Sequence, residues 1–98
     1  MKPTSPVTVV RLYASLRELA GERDIDVALP EGATIGDLLN RLVELRPNLA
    51  HRLLDADGNI PRHVNVFVNG RDIRYLNGLD TPLMANDEVT ILPPAAGG

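Results

Sequence analysis

The chain contains no cysteine and no tryptophan. Without cysteine there is no disulfide framework, no zinc–thiolate site and no thiol nucleophile, while the compartment is left open. Aromatic residues are scarce: Tyr13, Phe67 and Tyr75 are the full set, so aliphatic side chains must build the core. A single lysine, Lys2, stands beside nine arginines spread along the sequence. With a net charge of −3 there is no basic stripe for a nucleic acid. Long apolar runs are missing too. The N-terminal MKPTSPVTVVRLYASL is broken by Pro3, Pro6 and Arg11. On that pattern neither a signal peptide nor a membrane span is expected, and the cytoplasm is the expected compartment.

Nucleotide and nucleophile motifs are also absent. Neither G-x-G-x-x-G nor G-x-x-x-x-G-K-[ST] occurs, so nothing here cradles ATP phosphates. No G-x-S-x-G is present, and Ser5 and Ser15 lack the companions of a hydrolase nucleophile. The chain is not expected to be a self-sufficient enzyme.

What is present fits one domain over residues 1–98, long enough to bury a single core. VTVVRLY at 7–13 is β-branched and apolar, a strand. ASLRELAG follows, with Ser15 placed to cap one short helical turn and Gly21 to end it. DIDVALP at 24–30 alternates: Ile25, Val27 and Leu29 face one way, Asp24, Asp26 and Ala28 the other. The strongest helix signal starts at Thr34, with Asp37 at the reciprocal position of a capping box. Ile35, Leu38, Leu39, Leu42 and Leu45 form its apolar stripe, and Pro47 ends it.

NLAHRLL reads as a further helical turn and DADGN as a loop. HVNVFVNGRDIR is a hairpin with Val64, Val66 and Val68 on one face and Asn69-Gly70 as the tight turn. Asn77-Gly78 and Asn86-Asp87 mark further turns, and EVTILP at 88–93 is the last strand, with Val89 and Ile91 inward. One amphipathic helix with four or five strands predicts an α+β fold of the β-grasp, ubiquitin-like kind. In it a mixed sheet wraps the main helix, the first and last strands lie side by side in the centre, and a flexible C-terminal tail (93–98) projects from the sheet.

Several candidate sites dissolve on geometry. Asp55-Ala-Asp57-Gly58-Asn59 resembles a calcium loop, but its glycine is fourth where the sixth is required, and Val66 takes the place of the closing glutamate. His51 and His63 lack metal spacing and any carboxylate or cysteine companion, so no metal site is expected. A subtler signal lies on the sheet. If Val64, Val66 and Val68 face the helix, Phe67 faces away, as do Val9 and Leu92 on their strands. Together these three predict an apolar partner-binding patch near the base of the tail.

The sequence closes LPPAAGG. Glycine makes up about 7% of residues, so a terminal pair arises by chance in roughly one chain in 200. Pro93-Pro94 stiffens the exit into an extended stem. Ala95, Ala96, Gly97 and Gly98 then taper to residues with little or no side chain. Six such residues reach about 20 Å, enough to thread a narrow tunnel while the body docks outside. The reactive group at the tip is the α-carboxylate of Gly98.

RLYASLRELAG at 11–21, the capped helix from Thr34, HVNVFVNGRDIR, GLDTPL-x-x-x-DEV at 78–89 and the terminal PPAAGG together resemble the MoaD/ThiS family of ubiquitin-like sulfur carriers. The prolines before Gly-Gly most resemble the small subunit of molybdopterin synthase. The longer LLDADGNIPRHVNVFVN section is similar to the cysteine-biosynthesis carriers and archaeal modifiers.

The resemblance implies that an E1-like adenylyltransferase activates the Gly98 carboxylate as an acyl-adenylate and that a sulfur donor converts it to a thiocarboxylate. The tail then delivers sulfur inside an acceptor enzyme. That acceptor is the molybdopterin synthase large subunit, for molybdenum cofactor biosynthesis, or a pyridoxal-phosphate-dependent cysteine synthase. ATP and magnesium belong to the activating partner, so the chain itself binds no cofactor. Two other readings stand beside this one: a ubiquitin-like modifier forming isopeptide bonds through Gly98, and an inert ubiquitin-like binding domain.

Overall fold

A computed structural model describes residues 7–84 and 86–94. Strand β1, Val7–Leu12, runs antiparallel to β2, Asp24–Ala28, with Val10 opposite Ile25. Between them lies α1, Ala14–Ala20, which closes at Gly21. There a left-handed φ of 85° lets the Gly21 N–H return to the Arg17 carbonyl at 2.9 Å.

The start of α1 differs from the sequence expectation. Tyr13 holds the N-cap position without a side-chain hydrogen bond, and the hydroxyl of Ser15 is buried without a partner. The reason is the backbone of Ala14, whose φ of 51° turns strand into helix two residues earlier than a cap at Ser15 would. Ser15 is therefore already inside the first turn, past the point where its oxygen faces an orphan N–H. A left-handed alanine costs about 1–2 kcal/mol that glycine avoids. Ala14→Gly is accordingly expected to stabilise the fold by about 1 kcal/mol, read as a higher urea midpoint with unchanged slope. A loss of stability would instead mark Ala14 as an ordinary helical position.

The main helix, α2 (Ile35–Leu45), forms as its cap predicts. The Asp37 N–H donates to the Thr34 hydroxyl at 3.2 Å, and the Thr34 N–H donates to the Asp37 carboxylate at 3.0 Å. Ile35, Leu38, Leu39 and Leu42 are completely buried, whereas Leu45 lies at the helix edge and is 36% exposed. The expected stripe thus loses its last member to solvent. Pro47 opens a 3-10 turn, Pro47–Leu49, which leads into the short α3, Ala50–Leu53. Leu49 and Leu53 add to the same core.

Strands β3 (Asn65–Val68) and β4 (Arg71–Asp72) form the expected hairpin. Asn69 and Gly70 both take positive φ, 52° and 86°, as a two-residue turn matched to strand twist requires. Strand β5, Glu88–Leu92, completes a five-stranded sheet in the order β2-β1-β5-β3-β4. The β1–β5 pair is parallel and every other pair is antiparallel. Parallel neighbours cannot be joined by a tight turn, so the chain crosses beneath the sheet, and α2 is the crossing element.

Val10, Leu12, Ile25, Val27, Val66, Val68, Val89 and Ile91 are all buried, as is the apolar face of α2. Each such side chain contributes about 1.5–3 kcal/mol by leaving water. This is the β-grasp arrangement: a mixed sheet curled over one main helix, with the first and last strands at its centre.

Candidate functional site

Central placement of β5 decides where the C-terminal segment leaves the body. Leu92, its last residue, pairs with Asn65 of β3, while Ile91 lies beside Leu12 of β1. Pro93 and Pro94 continue beyond the sheet, outside any helix or strand, and both are half-buried. Ala95, Ala96, Gly97 and Gly98 lie outside the described residues.

The strand edge beside this exit is held by Arg74, whose role was invisible in the sequence. Its guanidinium donates to the Asn65 side-chain oxygen at 2.6 Å and to the carbonyls of Arg62 and Val64 at 2.6 and 2.9 Å. Its own N–H is anchored by the Asp72 carboxylate at 2.8 Å. At the opposite end of β5, the side-chain oxygen of Asn69 accepts from the Glu88 N–H at 2.9 Å, and its amide donates to Asp87 at 2.8 Å. Asn69 therefore fastens the start of the tail-bearing strand directly, while Arg74 fastens the start of β3, the neighbour that pairs with Leu92 through Asn65.

On the outer face the register sorts side chains into rows. Asp24, Arg11, Thr90, Phe67 and Asp72 form one row across the five strands. Asp26, Val9 and Glu88 form the next. Phe67 and Leu92 are diagonal neighbours on β3 and β5, a spacing of about 7–8 Å that large side chains bridge. Val9 is not with them. It lies across β5, between two carboxylates. All three predicted patch residues are half-buried and outward-facing, but the structure brings only two of them together.

Electrostatics on this face centre on Asp24. Arg23 and Arg11 both donate to its carboxylate at 3.1 Å, and these bonds hold its pKa below the ordinary 3.8. The same contact raises the Arg11 guanidinium further, so Arg11 stays charged. A depressed carboxylate stabilises the fold above its unfolded pKa, and that contribution disappears as pH falls through the lower folded value. Asp24→Asn is thus expected to lower the melting temperature slightly at neutral pH, with the difference from the parent chain vanishing as pH falls below 3.8, because the pair is partly solvated and the carboxylate's contribution is already lost there.

The other candidates are structural. Asp55 turns its carboxylate inward to accept from the N–H groups of Asp57 and Asn59, each at 2.9 Å, so this loop is a self-closed turn. His51 and His63 are exposed, on α3 and in the turn before β3. Among the described residues no group of three or more metal-ligating side chains exists, and no helix is long and apolar enough to cross a membrane.

A β-grasp body whose central last strand leads directly into the C-terminal segment places this protein in the ubiquitin-like class. Comparison with known proteins narrows it. The ThiS family profile matches residues 10–98, and the chain belongs to that family. It is 40% identical over 89 residues to small archaeal modifier protein 3 of Haloferax volcanii, covering 91% of this chain and 96% of the relative. It is 39% identical over 69 residues to the sulfur carrier protein CysO of Mycobacterium tuberculosis, covering 68% of this chain and 74% of that one. A chain in the crystal structure of the Amycolatopsis orientalis BexX/CysO complex superposes with a TM-score of 0.79 at 29% identity, covering 93% of this chain and 99% of that chain.

Proposed function

We propose that this protein is a sulfur carrier whose working group is the α-carboxylate of Gly98. The observation that carries the reading is the central parallel β1–β5 pair, which launches the Pro93-Pro94 stem from the middle of the sheet. The ThiS-family match, which runs through residue 98, supports it. So does the sequence of the tip, which has no side chain larger than a methyl after Pro94.

In the first step an E1-like adenylyltransferase holds the body and threads the tail. A Gly98 carboxylate oxygen attacks the α-phosphorus of magnesium-bound ATP, and pyrophosphate leaves. A sulfide equivalent from a sulfur donor then attacks the acyl carbon of the adenylate, AMP departs, and a thiocarboxylate remains. In an acceptor enzyme the ionised sulfur attacks an electrophilic carbon of the substrate. Water later cleaves the acyl–sulfur bond, which leaves sulfur on the product and regenerates the carboxylate. ATP and magnesium are substrates of the activating partner, and this chain contributes the acyl group and its delivery. The acceptor is a pterin-modifying subunit or a pyridoxal-phosphate cysteine synthase.

Docking of the activating partner is assigned to the Phe67–Leu92 pair on the outer face, beside the base of the tail. Phe67→Asp is expected to weaken that complex at least about tenfold, as loss of a buried aromatic anchor does. Folding should survive, because Phe67 is half-buried and outward. Loss of the near-native circular dichroism spectrum in this variant would place Phe67 in the core instead.

The similarity to an archaeal modifier favours a second reading, in which Gly98 is joined to lysine amines of other proteins. A pull-down with a thiocarboxylated terminus separates the two. Recovery of a non-covalently bound acceptor enzyme supports carriage, and recovery of isopeptide-linked targets supports modification.

A further inference from the structure

The β2 edge of the sheet is open, and its geometry carries an inference separate from the tail. The Leu12 N–H donates to the Arg23 carbonyl at 2.7 Å, which fixes the phase of the β1–β2 ladder. Because hydrogen-bonded pairs alternate in an antiparallel ladder, Val10–Ile25 and Thr8–Val27 are the other bonded pairs. The main-chain groups of Asp24, Asp26 and Ala28 therefore point away from β1, and no described strand lies on that side. Unpaired N–H and C=O groups in such a row template the addition of another strand.

Two further features narrow what that strand is. Immediately after β2, residues Leu29, Pro30 and Ala33 combine with Leu83 and Met84 to line a mostly apolar groove of about 540 Å³. Met84 is 71% exposed there, and Glu31 is the groove's charged lining residue. Asp26 and Glu31 are both exposed, and neither has an ion-pair partner among the described residues. The edge thus offers main-chain pairing, an apolar pocket at one end and uncompensated negative charge. A second copy of this chain is a poor occupant, since edge-to-edge pairing around Asp26 sets like charges opposite each other.

We propose that the β2 edge and its adjoining groove form a docking site for an extended basic segment of another protein, added to the sheet as a sixth strand. Its cationic side chains would stand on the outer face beside Asp26, at every second position. Its apolar end residue would fill the groove beyond Ala28. Main-chain hydrogen bonds supply affinity in such a mode, and the alternate side chains supply selectivity.

The test uses the full isotope-labelled chain and a nine-residue peptide that alternates valine with lysine and carries a leucine at each end. Two control peptides have glutamate in place of lysine, or N-methyl groups on the edge-pairing residues. Amide shifts and slowed exchange at Asp24, Asp26 and Ala28, seen with the lysine peptide alone, are the expected result. Asp26→Lys should lower affinity for the lysine peptide about tenfold and admit the glutamate peptide, which a merely structural role for Asp26 would not do. Four outcomes overturn the proposal. These are no binding of the lysine peptide at millimolar concentration, equal binding of the N-methylated peptide, equal binding of the glutamate peptide, and a dimer of the free chain in sedimentation that protects the same amides.

Discussion

Leu39→Ala is expected to lower the unfolding free energy by about 2–5 kcal/mol, among the largest effects of any single core substitution. Leu39 is fully buried in the middle of α2, where the sheet curls over the helix. Removing its isobutyl group forfeits transfer energy and leaves a cavity that a close-packed aliphatic core fills poorly. For a domain of this size each kcal/mol moves the melting temperature by about 4–8 °C, so a drop of at least about 8 °C should follow. Leu45→Ala is the matched control on the same helix. Its side chain is 36% exposed, and a change within about 0.5 kcal/mol is expected for a surface position. Equal losses in the two variants would mean that α2 presents a different face to the sheet.

Deleting Gly97 and Gly98 is expected to abolish thiocarboxylate formation while the melting temperature stays where it was. The variant still ends in a carboxylate, now on Ala96, so the acid itself is not what is lost. The carboxylate retracts by about 7 Å along an extended tail and gains a methyl beside it. Catalysis by positioning tolerates neither, since a displacement of even about 1 Å costs around a hundredfold. ATP–pyrophosphate exchange with the activating partner should therefore fall to background. Retained exchange would show that the activation site reads the body alone and that the two glycines are dispensable.

Much of this architecture could be read from local signals. The Thr34–Asp37 reciprocal cap, the alternation of Ile25, Val27 and Leu29, and the Asn69-Gly70 turn each depend on residues a few positions apart, and each formed as read. The same alternation placed Val66 and Val68 inward and Phe67 outward.

What the sequence concealed depends on residues distant along the chain. Arg74 clamps carbonyls ten and twelve residues away, and a carbonyl has no sequence signature. The apolar patch divided because register, which alternation alone does not set, places Phe67 with Leu92 and leaves Val9 between Asp26 and Glu88. Ser15 lost its capping role to a backbone choice at Ala14 that residue type did not announce. The open edge of β2 follows from a sheet order in which no described strand lies beyond it, and strand order is not written in local alternation.

Intact-mass analysis of the protein isolated from its native cells tests the central claim most directly. A fraction heavier by the exchange of one oxygen for sulfur, confined by fragmentation to Gly98, is the predicted result. An unmodified terminus throughout, with pathway activity undiminished after the two glycines are removed, would contradict it.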